Sequence, residues 1–150
     1  MLTSTQSNFK RNRFLLFMLF ITLFSSCKKE DENEPTNLLT AKTWTPGLID
    51  KNTSTNPSGR IIYNAVLNCQ KDDSYRFSSN GTLTINQGTE KCNNNESVAK
   101  TVSYTYNQDT KELIIDGIRY TLAEESTSQI KYYTLINPST GYDYMVFLLE

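Results

Sequence analysis

Apolar and polar positions divide the chain into three stretches. Residues 14–24 form an apolar run of eleven, broken only by Thr22. Residues 28–37 are polar, contain Pro35 and show no hydrophobic period. From Leu38 onward apolar residues return in short runs at every second position, the period of a half-buried strand. Val102, Tyr104 and Tyr106 alternate with Thr101, Ser103 and Thr105, and Ile130, Tyr132 and Ile136 alternate with Gln129 and Lys131. Further strands are predicted from Trp44, over 60–67, around Tyr75 and Phe77, around Leu83 and Ile85, over 113–115, from Ile118, and over 142–149. No segment keeps a helical period. Eight or nine short strands joined by tight turns predict an antiparallel all-β domain. Sequential hairpins favour a small up-and-down barrel of about eight strands over a Greek-key sandwich.

Two turns fix registers. A two-residue turn at Asn80-Gly81 would set Phe77 opposite Thr84 and mix polar with apolar on both faces. A three-residue loop with a left-handed Gly81 sets Phe77 opposite Leu83 and Tyr75 opposite Ile85, which keeps one face apolar. Asp116-Gly117 reads as a two-residue hairpin turn pairing Ile115 with Ile118 and Leu113 with Tyr120. The face carried through these registers places Tyr75, Tyr104, Tyr120, Tyr132 and Tyr144 inward. In the last strand Tyr142, Tyr144, Val146 and Leu148 are expected inside. Met145, Phe147 and Leu149 on the opposite face are apolar too. Either the Leu38-Leu39 segment, also a candidate cap for the open end of a barrel, folds across that face and leaves Phe147 more than half buried, or the patch stays open for a partner.

The run at 14–24 is shorter than the roughly 20 apolar residues a membrane helix needs. With Lys10, Arg11 and Arg13 before it and Ser25-Ser26-Cys27 after it, it has the layout of a signal-peptide core. The boundary resembles the lipobox of bacterial lipoproteins, in which the cysteine is acylated and becomes the new N-terminus. Lys28 and Lys29 followed by Glu30-Asp31-Glu32 look like the surface-export signal of Bacteroidota lipoproteins. The resemblance implies a signal peptide over 1–26, a lipidated Cys27 with a polar tether over 27–37, and a domain over 38–150. Ten tether residues reach at most about 35 Å.

All sixteen acidic side chains follow Cys27, so removing the leader leaves 12 basic against 16 acidic side chains. Such a domain has no general attraction for nucleic acid. His is absent, which removes the commonest general base and metal ligand. Cys69 and Cys92 remain as an even pair in an exported chain, where a disulfide is the natural partnering. No nucleophile stands with a base, and Asp72 and Asp73, as neighbours on an extended chain, point to opposite faces, which makes joint metal ligation awkward. These patterns predict neither catalysis, a metal nor a cofactor.

Trp44 early in the first strand, Cys69 leading into Lys71-Asp72-Asp73, Tyr75 and Phe77, then Asn80-Gly81-Thr82 and Cys92 resemble the lipocalin-like domains of Bacteroidota lipoproteins, over about 38–150. The resemblance implies a lipocalin-like barrel on an outer-membrane lipoprotein, exposed at the cell surface. An eight-stranded barrel can be filled by side chains or hold one small ligand. The inward tyrosines, each an apolar ring with a polar tip, suit a small hydrophobic or amphipathic ligand. The competing expectation is a filled core serving as an inhibitor or interaction module for another envelope protein.

Overall fold

The computed structural model describes residues 37–150. The proposed leader, Cys27 and the tether up to Thr36 lie outside the described residues. The domain has eight strands: β1 (Ile61–Tyr63), β2 (Ser74–Ser78), β3 (Thr82–Asn86), β4 (Ala99–Asn107), β5 (Glu112–Ile115), β6 (Ile118–Glu125), β7 (Ile130–Leu135) and β8 (Tyr144–Leu149). They form one sheet in the order β1-β8-β7-β6-β5-β4-β3-β2. The all-β, mostly antiparallel expectation holds. Both turn registers are as read from the sequence: Phe77 pairs with Leu83, Tyr75 with Ile85, Ile115 with Ile118 and Leu113 with Tyr120. Gly81 and Gly117 both take φ +80°, the left-handed backbone their turns require.

The sheet curls around its own core. Inward side chains from β2 to β8 meet in one cluster with Leu39 and Trp44. Phe77 of β2 packs edge-on against Tyr104 of β4, ring centres 5.0 Å apart. Tyr75 of β2 and Tyr132 of β7, far apart in strand order, line the same small cavity. The ladder itself does not close, and β1 and β2 are its ends. Residues 44–47 are hydrogen-bonded on one side to β2 and on the other to the C-terminal part of β8, beyond the stretch that β1 pairs with. Trp44 exchanges two backbone bonds with Tyr75 of β2, Thr45 exchanges two with Glu150, and the Gly47 amide donates to Leu148 of β8.

Four expectations are corrected. The predicted first strand at Trp44 forms only isolated bridges, because each residue there serves a different neighbour. β1 is three residues long and runs parallel to β8, since the chain reaches it across residues 48–60 and not through a tight hairpin.

The faces of β8 are the reverse of the expected ones. Phe147 stacks on Tyr132, while Tyr144 meets Tyr133 on the outer face. An apolar residue at nearly every position gave alternation nothing to discriminate, and pairing of Tyr132 with Phe147 decides the matter. Phe147 is more than half buried as expected, but as part of the interior.

Finally, Gln129 and Lys131, placed on a solvated face by the pattern, are both 0% exposed. Residues 48–57 fold over that face. Lys131 Nζ meets Asp50 Oδ1 at 2.7 Å, Thr55 Oγ1 at 2.9 Å and Asn56 Oδ1 at 3.0 Å, and Glu124 lies 3.8 Å away. A register shift between Leu122 and Glu124 sets Glu124 beside Lys131 and Glu125 inward. Burial alone would raise the Asp50 carboxyl, but hydrogen bonds from Lys131, Tyr63 and the Asn52 amide more than offset it and hold the group below the usual carboxylate range.

Candidate functional site

The interior is sealed at one end; at the other, the open end, its apolar side chains are only partly buried. The sealed end is the one with the β4–β5 and β6–β7 turns. A 3-10 turn, Leu38–Thr40, crosses it. Leu39 and Trp44 are both 0% exposed, and the Trp44 indole donates to the Leu39 carbonyl at 2.9 Å. Glu125 accepts from the Leu38 amide and from the Tyr106 hydroxyl, fixing the plug to β6 and β4. Burial first, and Glu125 second, push the Tyr106 phenol well above its usual range.

At the opposite end the inward positions are Ile62, Ile85, Ile115, Ile118, Tyr120 and Met145. Alternation from the buried Leu113, Leu122, Phe147 and Leu149 assigns Ile115, Ile118, Tyr120 and Met145 to this face. Ile62 pairs with Met145, and Ile85 with Tyr75. None of the six is buried, and Ile118 is 54% exposed. Beneath them lies an aromatic floor. Tyr120 meets Tyr132 edge-on at 5.2 Å and Phe147 at 5.6 Å, and Tyr132 and Phe147 stack at 5.1 Å. Such pairs are each worth about 0.5–1.5 kcal/mol beyond area burial, which makes the floor rigid. Burial raises the phenols of Tyr75, Tyr104, Tyr120 and Tyr132, so all four stay neutral donors near pH 7.

Of the five tyrosines expected to share a site, Tyr75, Tyr120 and Tyr132 come together around this floor. Tyr104 is committed to the core, its hydroxyl donating to the Ser78 carbonyl at 2.9 Å. Tyr144 lies on the outer face. The cavity that reaches the rings holds about 50 Å³ and is lined by Tyr75, Tyr132 and Phe147 together with Asn64, Val66, Gln70 and residues 46–47 and 148–149, not by the isoleucines. Sequence reasoning missed the isoleucines. Their signal was present, since Ile85, Ile115 and Ile118 all sit at strand ends next to polar loops.

The open end is held from outside the sheet. Cys69 and Cys92 are joined as a disulfide with Cα atoms 5.2 Å apart, linking the segment before β2 to the β3–β4 loop. Asp72 accepts from the Thr89 amide and hydroxyl at 2.7 and 2.8 Å, and Asp73 from the Gly88 amide at 3.1 Å. The hydrogen bonds from Thr89 hold the Asp72 carboxyl below its usual range. The two acids thus clamp one loop. Among the described residues no cluster of three or more His, Cys, Asp or Glu side chains is placed to hold a metal. No family model matches the chain, and no curated protein or solved structure matches it.

Proposed function

We propose that the protein is a lipid-anchored cell-envelope lipoprotein whose lipocalin-like barrel holds a small amphipathic molecule at its open end. The difference between the two ends carries this reading: one is stopped by Leu39 and Trp44, the other presents the exposed Ile118 and the partly buried Ile62, Ile85 and Ile115 above a tyrosine floor. An apolar wall with a few convergent hydroxyls is the usual composition of a small-molecule site. The bonds made by residues 44–47 to both β2 and β8 support a barrel, because they link the strands that would otherwise leave a gap.

The test is a titration with N-phenyl-1-naphthylamine, a hydrophobic fluorophore. Wild type should enhance its emission saturably, and Ile118→Lys should weaken binding at least tenfold with an unchanged melting temperature. Absence of saturable binding would overturn the ligand reading. The anchor is tested separately: Cys27→Ala should leave the precursor uncleaved or release the protein from membranes. An intact leader on mature wild type would contradict it.

A second reading, a filled-core interaction module for another envelope protein, is favoured by the size of the cavity. A volume of about 50 Å³ takes ordered water, whereas drug-sized ligands occupy roughly 300–1,000 Å³. On the first reading the ligand therefore rests in the mouth, above the rings.

A further inference from the structure

Leu48 and Ile49 are the exposed tip of the segment folded over the outer face, at 58% and 73% exposure. Two adjacent large apolar side chains in water are no stability device, yet their backbone is tightly fixed. The buried Gln129 amide donates to the Ile49 carbonyl at 2.9 Å, and its carbonyl accepts from the Lys51 amide at 3.0 Å. Behind the tip, Gly47 backs onto Leu148 so closely that a Cβ there would come within 2.9 Å of the Leu148 Cβ. The tip is therefore held outward.

Its position is informative. Ile49 is bonded to Gln129 and Lys51 to the Ser128 carbonyl, while Leu38 is bonded to Glu125. The apolar tip and the point where the upstream chain joins the domain thus share the β6–β7 turn, at the sealed end. Around the tip Asp50 pairs with Lys131 and Lys51 with Glu150 at 2.9 Å, and Glu124, 3.8 Å from the same Lys131, leaves the surround without surplus positive charge. An uncharged apolar tip matches a zwitterionic lipid surface better than an anionic one.

We infer that Leu48 and Ile49 dock the domain onto the zwitterionic lipid surface that anchors the chain, turning the sealed end to the membrane and the open end away. The inference rests on the anchored reading above. A ten-residue tether keeps the tip at high local concentration near the surface, so two side chains suffice where a free protein would not bind. Docking at this end leaves the isoleucine mouth facing solvent.

The full chain, processed in a lipoprotein-exporting bacterium and reconstituted in phosphatidylcholine vesicles containing brominated acyl chains, tests this. Ile49→Trp and Ile118→Trp are compared; both positions are exposed, and the buried Trp44 contributes equally to each. Bromine should quench the tryptophan at 49 at least threefold more than that at 118, and Leu48→Ser in the Ile49→Trp protein should reduce the quenching. Equal or reversed quenching in vesicle-bound protein overturns the docking while leaving the anchor intact. Protein that fails to sediment with vesicles overturns both.

Discussion

The two ends of the curled sheet are built from the same strands and similar side chains, yet they are ordered by different forces. At the sealed end Leu122, Ile130 and Leu149 are buried in one cluster with Leu39 and Trp44, so apolar burial and one buried indole hydrogen bond hold it. At the open end Ile115, Ile118 and Tyr120 face inward at the same alternation but are only partly buried, with Ile118 54% exposed. Order there comes from the Cys69–Cys92 bond and from carboxylates gripping backbone amides. Clamps placed beside an opening hold it in shape without filling it. An end packed shut has no such freedom.

Substitutions at the sealed end should therefore cost the most. Trp44→Ala removes a wholly buried side chain and leaves the Leu39 carbonyl without its donor; we expect a loss of about 4 kcal/mol in chemical denaturation. A loss under about 1 kcal/mol would show that the plug is not packed. Lys131→Met should cost about 3 kcal/mol, because it strands the buried Asp50 and Glu124 carboxylates. Reducing the disulfide opens a loop of sequence separation 23 and should lower stability by roughly 3 kcal/mol. Its sharper signature is local: hydrogen exchange should rise in residues 64–73 and 87–98 and leave 38–44 unchanged.

The Asp50 contribution has a defined pH window. Its folded pKa is depressed, so its stabilisation is complete above the unfolded value of about 4 and is lost as pH falls through the lower folded pKa. The stability difference between wild type and Asp50→Asn should therefore be constant from pH 5 to 7 and shrink below pH 4. At the other extreme, Ile118→Ser at the open end should change stability by less than about 0.5 kcal/mol. A cost above about 2 kcal/mol would mean that the mouth is packed after all.

Hairpin registers were legible in the sequence wherever one face was polar: Asn80-Gly81 and Asp116-Gly117 each allowed a single apolar-matched pairing. β8 was not legible, because Met145, Val146, Phe147, Leu148 and Leu149 satisfy either face equally. Lys131 misled for the opposite reason. A charged residue in an alternating strand normally marks solvent, and only the distant Asp50, Thr55 and Asn56, with no periodic signal of their own, reveal that it is covered. At the site, the tyrosine floor followed from alternation for Tyr75, Tyr120 and Tyr132. The asymmetry between the ends was half legible: Leu38 and Leu39 read as a candidate cap, but a 3-10 turn of three residues leaves no period to say which end it closes.

Nuclear magnetic resonance with a spin-labelled fatty acid, 16-doxyl-stearate, tests the central asymmetry most directly. Paramagnetic broadening should be concentrated on Ile62, Ile115, Ile118 and Met145 at the open end, with the Trp44 indole and Leu39 signals untouched. Broadening that is absent from the mouth, or centred instead on the outer patch of Tyr133, Leu135 and Tyr144, would contradict a ligand-holding open end.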